Sequence, residues 1–380
     1  MKIIVNAAPM TGLLTGIARY LRNLYIRMAR MKQVEISYLT KKKLVHSLPP
    51  LADTIKWQKR TAAVWNLPDQ IIFGLQSLRW MKYESLLRKN CRKNVFDLYH
   101  ETGFVPAKQP DIPTVYSIYD LSLRRYSDTH PRERVWFFEH FIKRRMPFAT
   151  HILTISEFIR QEIIEEFKVP AEMVTTIPLA PDPIFSLCSA EEVKKIKQQY
   201  KLPQSYLLFV SSLEPRKNID LLIEAMHKIS VDIPLVLVGW HGWGDKDWLE
   251  KIKSPKLKNR IHIIGHVPDE HLAEIYNGAM ALVYPSLYEG FGLPIVEAMA
   301  CGCPVICSNT ASMPEAAGDA ALFINPKKSE ELSSAIESVV LDEEIRKDLI
   351  NKGHAQAKRF SWERTARKTL DVFKKVSNKK

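Results

Sequence analysis

Tyr284-Pro285-Ser286-Leu287-Tyr288-Glu289-Gly290-Phe291-Gly292-Leu293-Pro294-Ile295-Val296-Glu297 carries the pattern on which the rest of the chain can be arranged. An apolar strand ends near Pro285, a glycine-bracketed loop follows, and a helix is expected to start with Pro294 at its first position, where the missing N–H costs nothing. Gly302 then marks the helix stop. Glu289 falls on the loop at the carboxyl end of the strand, and Glu297 on the helix's first turn. Free N–H groups at such a helix start, and along Gly290–Leu293, suit the oxygens of a diphosphate. Carboxylates accept hydrogen bonds from sugar hydroxyls. Helix-dipole stabilisation by Glu297 and simple turn-making by the glycines are the plainer readings of each residue alone. Two glutamates eight apart around Gly-Phe-Gly-Leu-Pro are more specific than any lone glycine pair.

A second strand–loop–helix segment precedes it: Phe209-Val210-Ser211-Ser212-Leu213-Glu214-Pro215-Arg216-Lys217-Asn218. Asn218 can cap the following helix. Arg216 and Lys217 are expected to project from the loop, where two cations would balance the charge of a departing diphosphate. Taken as an isolated pair, they would read as solvated surface side chains.

Working outward, short apolar strands alternate with amphipathic helical stretches. Strands are expected at 3–8, 34–39, 95–99, 113–118 and 151–155. Helices are expected at 16–31, 132–146 and 156–167. The pattern breaks at 178–190, where Pro178, Pro181 and Pro183 cluster. A second alternation follows, with strands at 206–211, 234–239, 261–265, 280–285, 305–308 and 321–324. Alternation of this kind predicts doubly wound parallel sheets. The chain of 380 residues suits two such domains, expected over 1–182 and 183–361. A final helix at 362–376 is expected to cross back onto the first.

Composition is that of an ordinary globular protein. No run of apolar residues is long enough for a membrane-spanning helix, and the start reads as a first strand rather than a leader. The five cysteines, Cys91, Cys188, Cys301, Cys303 and Cys307, lack metal-site spacing and read as reduced thiols of a cytoplasmic protein. Net charge is +13. Much of it falls in 41–94, where twelve Lys/Arg face only Asp53, Asp69 and Glu84, interleaved with Trp57, Trp65, Phe73, Trp80 and Tyr83. Such a segment suits an anionic membrane surface, against the plainer reading of a solvated basic face. No nucleic-acid-binding motif accompanies it. Asp245-Lys246-Asp247 spells a metal-binding D-x-D, but its Gly/Trp-rich setting, Gly239-Trp240-His241-Gly242-Trp243-Gly244, reads as a surface loop. His100-Glu101-Thr102-Gly103 is expected to follow a strand, with His100 either lining a ligand site or serving the core. No Gly-x-Ser-x-Gly elbow supports hydrolase chemistry.

These residues carry a resemblance. Glu289 to Glu297 resembles the E-x7-E signature of family 4 glycosyltransferases of the GT-B fold, and Ser211–Asn218 is similar to their G-T-L-E-P-R-K-N motif. Thr15-Gly16-Ile17-Ala18-Arg19-Tyr20, Asp120-Leu121-Ser122, His130–Arg134, Thr154–Phe158 and Phe360–Glu363 extend the likeness over almost the whole chain. The set looks most like bacterial O-antigen mannosyltransferases. The resemblance implies two Rossmann-like domains facing across a cleft, the second binding the nucleotide-sugar. It implies retention of anomeric configuration, without a metal or other cofactor. Lys217 and Arg216 would hold the diphosphate, Glu289 the donor sugar and Glu297 the ribose. Gly290, Phe291, Gly292 and Leu293 would supply backbone amides. His266 and Val267, within Gly265-His266-Val267-Pro268, would lie at the nucleobase, Ser212 and Gly239 would be further donor-binding residues, and Gly16 would lie on the phosphate side of the first domain. Tyr119 and Asp120 would stand at the reacting face. Tyr119 replaces a histidine common in relatives, and tyrosine cannot copy a neutral imidazole base; a core tyrosine is the alternative. Ser211-Ser212 departs from the glycine-led pair of the motif. The implied reaction is hexosyl transfer, with GDP-mannose as donor and a saccharide or lipid-linked acceptor, at the inner face of the cytoplasmic membrane. UDP-glucose, UDP-galactose and GDP-fucose are the alternative donors, and a non-catalytic nucleotide-sugar-binding subunit is the alternative role.

Overall fold

The computed structural model describes residues 1–12, 15–51, 67–109, 111–240, 242–243 and 247–378. The chain divides into two compact units, Met1–Leu179 with Trp362–Lys380, and Ala180–Ser361.

The first unit is built on strands β1 (Lys2–Asn6), β2 (Glu35–Leu39), β3 (Leu44–Val45), β4 (Leu98–Glu101), β5 (Thr114–Ile118), β6 (His151–Thr154) and β7 (Val174–Thr176). Their order across the sheet is β3-β2-β1-β4-β5-β6-β7. All pairings are parallel except the β2–β3 edge hairpin. The expected strand at 95–99 forms later, at Leu98–Glu101, which puts His100 and Glu101 on the strand itself. Val95 is exposed and Phe96 packs into the core with Ile4, Tyr83, Leu87 and Tyr99, so its apolarity serves the approach to the strand.

The second unit carries β8 (Leu207–Val210), β9 (Leu235–Val238), β10 (Ile261–Gly265), β11 (Ala281–Tyr284), β12 (Val305–Ser308) and β13 (Leu322–Ile324), in the order β10-β9-β8-β11-β12-β13 and all parallel. Central strands such as Leu-Leu-Phe-Val and Leu-Val-Leu-Val are buried along their full length, as a sheet covered on both faces requires. In each unit the chain winds outward one way from the first strand and then the other. That reversal, between β1 and β4 and again between β8 and β11, is where open α/β sheets of this kind hold ligands, outside the carboxyl ends of the strands.

The last helix, Trp362–Ser377, buries Trp362, Thr365, Ala366, Thr369, Leu370, Phe373 and Val376, the three-and-four spacing of one helical face. That face belongs to the first unit. Trp362 packs on Tyr20 with ring centres 6.0 Å apart, and Phe373 meets His100 edge-on at 5.1 Å. The Thr365 hydroxyl donates to the Pro178 carbonyl at 2.8 Å, and Arg27 reaches Glu363 at 2.9 Å. Among the described residues no helix is long and apolar enough to cross a membrane.

Candidate active site

Two loops meet at the reversal point of the second sheet. One leaves β8 and tightens into a short 3-10 turn at Pro215–Lys217; the other leaves β11 and ends at the helix Leu293–Ala300. The backbone N–H of Leu287 donates to the Arg216 carbonyl at 2.9 Å, joining them directly. Asn218 joins them again. It sits at the start of the helix Ile219–Lys228 in the left-handed conformation, φ 61°. Its side chain makes no cap, contrary to the sequence expectation, because its amide donates to the carbonyls of Pro285 (3.0 Å) and Pro326 (2.8 Å). Asparagine tolerates the left-handed region better than most residues, which suits it to this bridging place.

Arg216 and Lys217 do not project into solvent. Both are buried, along with Glu214 and Glu289. Lys217 Nζ lies 2.7 Å from Glu289 Oε1, Arg216 Nη1 3.3 Å from Glu289 Oε2, and Arg216 Nη2 2.8 Å from Glu214 Oε1. The guanidinium also donates to the Tyr288 carbonyl. The Tyr284 hydroxyl donates to Glu289 Oε1 at 2.8 Å, and the Ser312 hydroxyl to the Glu289 carbonyl at 2.8 Å. Two cations therefore face two carboxylates away from water, a reason for them to fold inward rather than stand free. Burial alone would raise the Glu289 carboxyl, but Lys217 and then Arg216 outweigh it and hold Glu289 down at about 2. Burial foremost, then the Glu289 charge, holds the Tyr284 phenol well above its ordinary range, so it donates.

The helix Leu293–Ala300 starts one residue earlier than expected. Gly292 takes φ 98° as its N-terminal cap residue, and Pro294 falls at the second position. Its end is a Schellman motif: Cys303 N–H bonds the Ala298 carbonyl, and Gly302, at φ 69°, bonds that of Met299. Glu297 consequently lies in the second turn, not the first. It is buried and accepts from the Tyr276 hydroxyl at 3.3 Å. The structure thus brings Lys217, Arg216 and Glu289 into one hydrogen-bonded group, and gives Glu297 a separate partner. Gly290 and Phe291 are buried beside the helix start, Phe291 edge-on to Phe360 at 5.3 Å.

The loop after β9 adjoins the β8 loop, Gly242 N–H donating to the Leu213 carbonyl at 3.1 Å, and meets the end of β10, Gly239 N–H donating to the Gly265 carbonyl at 2.9 Å. Gly239, at φ 145°, lets its backbone lie so close that an added Cβ would stand 1.8 Å from the Ser211 carbonyl oxygen. The Ser212 carbonyl accepts from Glu214 N–H at 3.0 Å, and Leu213 N–H reaches the Trp240 carbonyl at 2.8 Å. The exposed His266 ring stacks on Trp240, centres 4.3 Å apart and 18° from parallel, while Val267 is a buried core side chain. Of the D-x-D, Asp247 opens the helix Asp247–Lys251, and Asp245 and Lys246 lie outside the described residues.

In the first unit, Thr15 caps the helix Gly16–Met28 through Ala18 N–H, and Gly16 is exposed with open space where a Cβ would be. Tyr119 is half-buried, edge-on to Tyr20 at 5.7 Å, and its hydroxyl donates to the Thr102 carbonyl at 3.3 Å. Burial holds its phenol well above the ordinary value, which rules it out as a base near neutrality. Asp120 accepts from Ser122 N–H at 2.9 Å and shapes the turn into the next helix. His100 is buried between the Tyr25 hydroxyl and Ser117 Oγ, and burial drives its imidazole down to about 3, a structural histidine that stays neutral.

The sequence marks the cations and Glu289 as site residues but does not single out Glu214, Tyr284, Ser312 or Trp240. Glu214 and Tyr284 stand inside the quoted segments, as a buried acid beside an arginine and the last residue of a strand. Ser312 carries no local signal at all.

The chain belongs to the glycosyltransferases of group 1, the family 4 type: residues 14–183 match the family model described as Glycosyltransferase Family 4, and residues 191–356 that described as Glycosyl transferases group 1. It is 33% identical to O-antigen chain mannosyltransferase B of Escherichia coli, over 98% of this chain and 100% of that one. Among solved structures it is similar in fold to sucrose-phosphate synthase from Thermosynechococcus elongatus, TM-score 0.76 at 20% identity, covering both chains in full. It is also similar to Anabaena Alr3699/HepE in complex with UDP-glucose, TM-score 0.73 at 19% identity over 99% of this chain and 100% of that one. The two-sheet GT-B fold and glycosyltransferase activity expected from the motifs are therefore those of this chain.

Proposed function

We propose that the protein transfers mannose from GDP-mannose to a saccharide or lipid-linked acceptor during assembly of an O-antigen type polysaccharide, with retention of configuration. The observation that carries this reading is the buried Lys217–Glu289–Arg216 group at the reversal point of the second sheet. The full-length likeness to an O-antigen mannosyltransferase supports the choice of sugar. The donor diphosphate lies against Lys217, Arg216 and the N–H groups at Leu293, and takes over part of the cationic charge that Glu289 holds in the free protein. The acceptor hydroxyl attacks the anomeric carbon from the face of the leaving group. The bond to the phosphate oxygen breaks, the new glycosidic bond forms, and the departing phosphate oxygen takes the hydroxyl proton. Catalysis is then positioning and leaving-group stabilisation. The two buried cations do the work a divalent metal does elsewhere, so transfer persists in excess EDTA. Thermal shift against nucleoside diphosphates and their sugars tests the donor, because a ligand that binds the folded state raises its melting temperature. GDP and GDP-mannose are expected to give the largest shifts; a larger shift with UDP-glucose, UDP-galactose or GDP-fucose overturns the donor assignment.

Membrane contact belongs to the same proposal. The helix Asp69–Lys93 buries Ile72, Tyr83, Glu84 and Leu87. Its outer side leaves Ile71, Leu78 and Met81 50%, 54% and 48% exposed, and continues into exposed Lys82, Lys89, Arg92 and Lys93. Ile71, Leu78, Lys82 and Lys89 share one helical face. An apolar patch running into a basic one complements an anionic lipid surface. Trp57, Trp65 and the cations at 56, 59 and 60 lie outside the described residues. Flotation with phosphatidylglycerol-rich vesicles at low salt is expected to carry the protein, and Lys82→Glu with Lys89→Glu to abolish it; no flotation of the wild type removes membrane contact.

A further inference from the structure

The reversal point of the first sheet holds its own buried acid. Glu101 ends β4 and Asn6 ends β1, the two strands that flank the reversal. The Glu101 carboxylate accepts from the Asn6 amide, from the Tyr99 hydroxyl at 2.6 Å and from Gly103 N–H at 2.7 Å, all neutral donors. Around it, the next three residues are pinned one by one. The Thr102 hydroxyl donates to the Asn6 carbonyl at 2.5 Å, and the Thr102 carbonyl accepts from Tyr119. Gly103 is held by the carboxylate, and a Cβ there would stand 3.0 Å from Glu101 Oε1 and 3.1 Å from Asn6 Nδ2. The Phe104 carbonyl accepts from the buried Tyr116 hydroxyl at 2.6 Å. The result is a phenylalanine whose backbone carbonyl is held by a buried hydroxyl while the residue stays 56% exposed.

Single exposed apolar residues are common and need no function. Phe104 differs because a fully buried carboxyl group, a polar group that burial tolerates only when hydrogen-bonded, is devoted to the loop that presents it. The place is also the one where an open α/β sheet binds ligands. An immobilised aromatic ring offers a flat apolar face, and a pyranose has one face lined by C–H groups.

We infer that Phe104 is a stacking platform for a pyranose ring of the saccharide acceptor, held in place by Glu101 and Asn6. The inference rests on the glycosyl transfer proposed above and adds where the acceptor sugar binds. Glu101 is a positioning residue: it touches the loop, not the sugar.

The test uses the full chain with methyl α-mannobioside as probe, in the presence of GDP, read by saturation-transfer NMR. The wild type is expected to give signals on the ring C–H protons. Phe104→Ala weakens binding about tenfold, Phe104→Trp retains it, and the GDP-induced rise in melting temperature is the same in all three. Glu101→Ala is expected to weaken the mannobioside as Phe104→Ala does. Glu101→Gln, which keeps an acceptor for Gly103 N–H, restores it, a rescue that a merely destabilising change would not show. Equal signals from wild type and Phe104→Ala, or none from the wild type, overturn the platform. Failure of GDP to raise the melting temperature instead breaks the donor reading and leaves the mannobioside comparison to stand by itself.

Discussion

Glu289 and Glu101 occupy matching places in the two units, each at the carboxyl side of the first strand beyond the reversal, β11 in one sheet and β4 in the other. Both are buried. Their partners differ. Glu289 meets Lys217 and Arg216 and sits at about 2; Glu101 meets only neutral donors, and burial, outweighing those hydrogen bonds, pushes it up to about 7. One fold position thus serves two ends. Where cations surround the carboxylate, the group is a charge-balanced cluster, which the proposed diphosphate would enter by exchanging with Glu289. Where they do not, it is a clamp for the backbone.

Removing a cation should break the comparison most severely. Lys217→Ala is expected to lower turnover of GDP-mannose by about a thousandfold, the size seen when a donor to developing charge is lost. Circular dichroism should show the fold retained, and near wild-type turnover would refute the role. Glu289→Gln leaves two buried cations short of an anion and should cost about 3–5 kcal/mol in urea unfolding at neutral pH. Charge linkage sharpens the contrast, because the two acids oppose each other. The Glu289 contribution is present above the ordinary glutamate value of 4.5 and is lost as pH falls towards about 2. The Glu101 contribution is complete below 4.5 and is lost as pH rises through about 7. Each shift corresponds to something on the order of 3 kcal/mol. Glu101→Gln should therefore flatten the stability difference between pH 5 and pH 8 by roughly that amount, and an unchanged slope would show that Glu101 does not titrate there. The smallest effect is expected from Tyr284→Phe. It removes one hydrogen bond to a charged acceptor and should cost about 1.5–3 kcal/mol, with the acid limb of the stability profile moved to higher pH.

Much of this second unit could be read from the chain alone. Continuous apolar runs, glycines and a proline mark where strands end and helices begin, and the loops bearing Lys217 and Glu289 follow directly. What stayed hidden depends on contacts between distant residues. Arg216 and Lys217 look like surface cations until Glu214 and Glu289 are seen to neutralise them. Asn218 looks like a cap until two carbonyls from other loops compete for its amide. Ser312 reaches the Glu289 carbonyl across a gap in sequence that no local pattern signals. Glu101 lies on the strand rather than after it because the apolar stretch before it begins with an exposed Val95, so the strand forms later than its hydrophobicity suggests.

The closing helix sets the order in which the molecule can be made. Residues 362–377 supply Trp362 and Phe373 to a core in which they meet Tyr20 and His100. A ribosome releases those two residues long before it releases the helix that packs on them. The first unit therefore cannot close until residues 362–377 have followed the whole sequence of the second unit out of the ribosome.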